Sequence, residues 1–220
     1  MRRARRLATN SEYSLSELEQ NAEIPRERVT VIHHGVPDPF GAEPAAKERE
    51  ALTVGAIDRT TLVQKGQLPF VEAARLLPDV TFTIAGKWLD GSVDELRARA
   101  GETVHFTGWL SDDDLHAAYR RAAVYVQASR HEGFGLAVAE AMLAGCVPVV
   151  MNVTAMPEVV GDAGVFIESQ EPGDVADGVR RALELGPDAA RRARERILTE
   201  FPMERRRDGI LALVQDALDG

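Results

Sequence analysis

The sequence predicts an α/β fold, an open doubly wound parallel sheet with helices on both faces, and three observations carry that prediction. From Ala51 onward, short β-branched or apolar runs alternate strictly with longer segments whose apolar residues recur at helical spacing, the pattern of βα units. The short runs are mostly continuous apolar stretches, as expected of strands covered on both faces. The chain has 220 residues, 45% hydrophobic, 28% charged and only 5% aromatic, enough aliphatic material for a sizeable buried core.

The expected strands are 51–56, 80–85, 104–107, 124–128, 147–151 and 164–167. Between them the periodicity predicts helices over 66–77, 93–100, 112–121, 136–144 and 156–160. Parallel strands need such crossovers, and the right-handed sense of each one spreads the helices over both faces of the sheet. Ser111 before Asp112, Asp113 and Asp114 reads as an N-cap with acids complementing the positive helix end, rather than as a metal cluster. Outside the alternation, Ser14–Gln20 reads as a short exposed helix, Val29–Ile32 as a strand and His33–Glu50 as a Pro/Gly-containing linker. Asp174–Leu218 reads as two or three amphipathic helices, punctuated by Gly186-Pro187 and Phe201-Pro202.

Composition excludes several functions. A formal charge of −9 argues against a nucleic-acid partner, whose phosphates must be met by clustered Lys and Arg. The single Cys146 cannot close an internal disulfide and reads as a small buried hydrophobe, and no apolar run reaches the roughly 20 residues of a membrane span. The expectation is a cytoplasmic chain without a transmembrane segment, with the four arginines of Met1–Arg6 as the one stretch suited to touch the inner membrane surface. His33 and His34 sit together without any Cys or carboxylate at metal-ligand spacing, and no nucleophile elbow or Walker loop occurs.

The chemistry concentrates in the run from Ser129 to Met142, which follows a strand and opens a helix. Gly133 and Gly135 let the backbone turn sharply and approach a ligand, and the helix behind them offers unpaired N–H groups and a positive dipole end, an anion cradle. At the carboxyl end of a parallel strand, a phosphate or diphosphate is the natural guest. Glu132 precedes the turn and Glu140 lies about 6 Å down the helix at 1.5 Å per residue, so an acid at each end could accept hydrogen bonds from hydroxyls flanking a diphosphate. The same pattern fits an acidic surface helix behind a glycine turn, and the residues by themselves leave both readings open.

Glu132 and Glu140, with Gly133-Phe134-Gly135 between them, resemble the E-x7-E motif of the retaining glycosyltransferases of family 4. Further segments fall in that family's order: Ser11–Ser14, Val31–Pro37, Gly55 through Lys65-Gly66, Phe106–Gly108 and Pro157–Gly164. The resemblance implies the C-terminal, donor-binding half of a GT-B fold: a Rossmann-like nucleotide-sugar-binding domain at 51–200, a C-terminal helix at 201–220, and at 1–50 a remnant of the interdomain region and linker. It implies that Glu132 meets the transferred sugar, that the backbone of Phe134, Gly135 and Leu136 meets sugar and phosphate, and that Glu140 holds the ribose. Lys65, near Gly55, would neutralise the departing diphosphate, the base would rest at Gly108-Trp109-Leu110, and His131 faces the same cleft. The donor would be a UDP- or GDP-sugar, with no cofactor or metal required.

Two departures qualify what the resemblance implies. Ala56 stands where the family carries an arginine after the glycine, and Arg59 is the nearest substitute. The family's acceptor-binding N-terminal domain has no counterpart here, so transfer of a hexose with retention would call on a separate acceptor-domain chain or a homo-oligomer. The alternative is a non-catalytic nucleotide-sugar-binding module or a subunit of a split enzyme.

Overall fold

A computed structural model describes residues 6–41 and 46–219. Most of the arginine-rich start and part of the expected linker lie outside the described residues; Arg6 itself pairs with Asp216 near the other end of the chain.

The first elements are β1 (Leu7–Thr9), α1 (Glu12–Ala22) and β2 (Val29–Val31), the two strands pairing in parallel as a small separate sheet. Ser11 caps α1 by accepting from the Ser14 N–H, which sets the helix start two residues before the expected one. Leu15, Ile24 and Val29 form a core of their own beneath this unit. β1 was not foreseen, because three residues carry no period.

The main sheet comprises β3 (Glu48–Val54), β4 (Thr81–Ala85), β5 (Val104–Gly108), β6 (Ala122–Gln127), β7 (Val147–Met151) and β8 (Val165–Ile167). Its order is β5-β4-β3-β6-β7-β8, every pairing parallel. Two halves thus run outward from β3 and β6, the doubly wound arrangement expected. The crossover direction reverses between those two strands, which opens a crevice at their carboxyl ends.

Strand residues alternate between two cores. Ala51, Phe82, Ile84, Val124, Val126 and Val149 lie in one, and Leu52, Tyr125 and Val150 in the other. The first core is covered by α3 (Gln67–Ala73), α4 (Ser92–Arg99) and the start of α8 (Pro172–Glu200). The second is covered by α5 (Asp112–Arg121), α6 (Leu136–Leu143), α7 (Met156–Val160) and the end of α8. α8 bends where Gly186 adopts φ 68° and ψ −164° ahead of Pro187, and Pro202 separates it from α9 (Met203–Asp219), so both expected punctuations act. Among the described residues no helix is long and apolar enough to cross a membrane.

Three boundaries differ from expectation. A short helix, α2 (Thr61–Gln64), precedes Gly66, and α3 ends at Ala73 in a 3-10 turn rather than reaching Leu77. The expected linker is partly packed: Val36 and Phe40 are buried, and the Val36 N–H bonds the Phe201 carbonyl at 2.9 Å. β3 begins at Glu48, not Ala51, because Glu50 points inward at 1% exposure and is met bidentately by Arg121 from the end of α5, at 2.6 and 3.0 Å. A carboxylate that looks like a strand terminator is thereby carried into the sheet.

Removing Arg121 strands that buried carboxylate. Arg121→Ala is expected to lower unfolding stability by about 3 kcal/mol, the low end for a broken buried pair because the guanidinium is partly exposed. Urea titration of both proteins measures it; a loss below about 0.5 kcal/mol would show the pair to be idle.

Candidate functional site

The crevice at the ends of β3 and β6 is built on close backbone approaches. The Gly55 N–H bonds the Ala85 carbonyl at 2.9 Å, and a Cβ on Gly86 would lie 1.9 Å from the Gly55 oxygen. A Cβ on Gly66, at φ 67°, would lie 2.5 Å from the Ala128 oxygen, so only glycine lets the α2–α3 corner reach the end of β6. The Arg130 N–H then bonds the Gln64 carbonyl at 2.9 Å. Lys65 is carried over Gly55, where an added Cβ would sit 3.3 Å from its Cδ, and its Nζ stands 4.0 Å from Glu132 Oε1.

Beside this pair, α6 opens at Gly135, whose φ of 91° and ψ of 55° leave the first turn with no capping side chain. A Cβ there would strike Met156 Cε at 2.5 Å. The free N–H groups of that turn are the donors an anion requires.

Both acids are held from beneath. Glu132 Oε1 accepts from Gln127 Nε2 at 2.7 Å and from Ser129 Oγ at 3.0 Å, and Glu140 Oε2 accepts from the Tyr119 hydroxyl at 3.1 Å. Burial raises the Glu140 pKa above the usual carboxylate range, and the Tyr119 bond opposes that rise without cancelling it. Gln127 and Tyr119 were missed as supports of the site. The available signal was a glutamine inside an otherwise apolar central strand.

The remaining site residues divide. Gly133 lies against Asn10 and Ser14, and the Ser14 hydroxyl reaches its carbonyl at 3.4 Å. The Phe134 ring is buried among His33, His34 and Phe201, so its side chain anchors the turn. His131 meets Tyr13 edge-on at 5.8 Å. Leu136 is 41% and Trp109 72% exposed, and Gly108, at φ 72°, has the Trp88 ring beside it. Leu110 is half-buried and packs against the second core. Arg59 is exposed, its backbone N–H bonded to Asp90 at 3.1 Å, and none of its bonds reaches Lys65 or Glu132. At Ala56, the carbonyl accepts from the buried Gln67 amide at 2.9 Å.

The discounted residues have local partners. His33 bonds Glu158, while His34 meets Asn10 at 3.2 Å and Arg206 at 2.8 Å. Among the described residues no group of three or more His, Cys, Asp or Glu could hold a metal. Cys146 is buried, and burial pushes its thiol up to about 11.

Residues 48–185 match the model of the family described as glycosyl transferases group 1. Glycogen synthase of Mycobacterium tuberculosis is 32% identical over 186 residues, covering 79% of this chain and 45% of the relative. D-inositol 3-phosphate glycosyltransferase of Mycobacterium sp. is 32% identical over 209 residues, covering 86% and 47%. O-antigen chain mannosyltransferase B of Escherichia coli is 33% identical over 125 residues, covering 56% and 32%. The chain thus spans less than half the length of these relatives. Anabaena HepE, crystallised with UDP and glucose, superposes with a TM-score of 0.85 at 21% identity over 97% of this chain and 64% of that one. A Rickettsia africae glycosyltransferase superposes at 0.83 with 19% identity and the same coverage. These likenesses show the expected fold, the Rossmann-like C-terminal half of a GT-B architecture with its C-terminal helices. Matched by the family model through the whole of its six-stranded sheet and folded as these structures are, the chain belongs to the group 1 glycosyltransferases.

Proposed function

We propose that this chain binds a nucleoside-diphosphate sugar, UDP- or GDP-linked, and forms the donor half of a retaining hexosyltransferase of family 4. One observation carries the reading: Lys65 and Glu132, 67 positions and several elements apart in sequence, meet at 4.0 Å beside an uncapped helix mouth at the sheet's switch point. The diphosphate would sit on the N–H groups of Gly135, Leu136 and the turn behind them. Lys65 would neutralise the charge that develops on the departing nucleotide, where a fixed cation lowers the barrier most. Glu132 would orient the sugar hydroxyls, Glu140 would accept from the ribose, and Gly108-Trp109-Leu110 would flank the base. Arg59, whose backbone N–H is tied to Asp90, would be the second cation beside Lys65. The division into 1–50, 51–200 and 201–220 belongs to this proposal, as does the need for no cofactor.

The second reading is a non-catalytic nucleotide-sugar-binding module or one subunit of a split enzyme. Assays with and without a candidate acceptor-domain chain separate the two.

UDP or GDP at a hundredfold excess over Kd should stabilise the protein by about 2.7 kcal/mol, a rise on the order of 5 °C in Tm. Glu140→Ala and Lys65→Ala should each weaken nucleotide binding roughly 30-fold, one charge-assisted interaction of about 2 kcal/mol apiece. No thermal response to either nucleotide would overturn the donor-site reading.

The raised pKa of Glu140 gives a second test. A carboxylate must be ionised to accept from both ribose hydroxyls, so affinity should fall on acidification sooner than an ordinary carboxylate would dictate. Calorimetric titration of UDP or GDP between pH 4 and 8 should show this acidic limb in the natural protein and lose it in Glu140→Gln. An identical limb in both proteins would assign the titration elsewhere.

A further inference from the structure

A central parallel strand buried on both faces is expected to be apolar on both. β6 obeys this on one side, with Val124, Val126 and Ala128 in the first core. On the other side Tyr125, Gln127 and, just past the strand end, Ser129 follow at alternate positions, all at 3% exposure or less. Burying three polar groups in a row is costly unless each is satisfied.

Here each is satisfied, in one direction. The Tyr125 hydroxyl donates to Gln127 Oε1 at 2.9 Å, and Gln127 Nε2 donates to Ser129 Oγ and Glu132 Oε1, both at 2.7 Å. Ser129 Oγ donates to the same Oε1 at 3.0 Å. The amide of Gln127 is thereby fixed in orientation: its oxygen is taken by the tyrosine, and its nitrogen faces the carboxylate. The chain of bonds ends at Glu132, and both donors converge on Oε1, which leaves Oε2 outside the network. A leucine or valine at 127 would complete the core without any of this, so the polar stripe answers to Glu132 rather than to the sheet.

We propose that Gln127, seconded by Ser129, is the positioning residue of Glu132, fixing which carboxylate oxygen and which rotamer meet the sugar of a bound nucleotide-sugar. The inference rests on the donor-site reading above. Gln127 touches no substrate; it acts through the carboxylate it orients.

The test compares UDP with UDP-glucose and GDP with GDP-mannose by calorimetry, on the full chain, in the natural protein, Gln127→Met, Glu132→Gln and the double variant. Methionine keeps the volume and removes the donors. Nucleoside-diphosphate affinity should stay within about twofold in Gln127→Met, while the ratio of the nucleotide-sugar Kd to the nucleoside-diphosphate Kd rises roughly tenfold. Glu132→Gln should raise that ratio alike, and the double variant should add nothing to it, a coupling that mere loosening of the core would not produce. If the methionine variant fails to fold, Ser129→Ala removes the other donor to the same oxygen and should raise the ratio in the same sense. A ratio unchanged in the variants, with nucleotide-sugar still bound, overturns the positioning role alone. No binding of any of the four compounds by the natural protein overturns the donor-site reading and this inference with it.

Discussion

The contact between Gly66 and the carbonyl of Ala128 determines how close the ends of β3 and β6 can bring their side chains. Within the sheet the paired residues of β3 and β6, Ala51 with Val124 and Leu52 with Tyr125, meet only in the two cores. The connection is made past the strand ends, where the α2–α3 corner folds back onto the start of the β6–α6 loop. Any side chain at 66 would collide with backbone at 2.5 Å and would also have to tolerate φ 67°. With glycine there, the Gln64 carbonyl captures the Arg130 N–H, and the lysine between the two glycine contacts arrives beside Glu132. The cation, the helix mouth and the acid are thus one assembly held by backbone geometry.

That assembly carries charge into places the fold would rather keep neutral. Glu140 sits deep enough that burial raises its pKa, and Glu132 is joined to polar residues in a strand that could have been wholly aliphatic. Burial disfavours the charged form of Glu140, and its Tyr119 bond offsets only part of that. Stability elsewhere is supplied by unbroken aliphatic packing on both faces of the sheet, where β7 is buried along its whole length. The division is the one expected when a rigid core supports a destabilised site.

The fold was legible because it rests on repeated patterns. Strand and helix alternated cleanly from the first strand to the last, and Gly186-Pro187 and Phe201-Pro202 marked the bend and the break where they occur. The turn-and-helix cradle was legible because glycine, glycine and acid stand at fixed offsets in one short segment. What could not be read were pairings made across sequence. Glu50 looked like a residue before a strand until Arg121, from α5, neutralised it inside. Gln127 stood inside the expected strand 124–128, where nothing marked its partner five residues ahead. Arg59 stood near Lys65 in sequence, yet the bond that ties it down runs from its backbone N–H to Asp90.

The N-terminal unit completes the geometry from outside the sheet. Glu158, near the start of α7, accepts the Glu12 N–H at 3.0 and 3.1 Å, placing a carboxylate on the first turn of α1, and bonds His33 as well. Burial tends to raise the Glu158 pKa, but the His33 and backbone bonds prevail and hold it below the usual range. Phe134 is stacked from the same side by His33, His34 and Phe201, so the turn carrying Gly133 and Gly135 is fixed between the N-terminal unit and the α8–α9 junction. His131, one residue before Glu132, leans on Tyr13 of α1. The loop that would grip the sugar is therefore supported by the sheet through Gln127 on one side and by α1 through Tyr13 and Ser14 on the other.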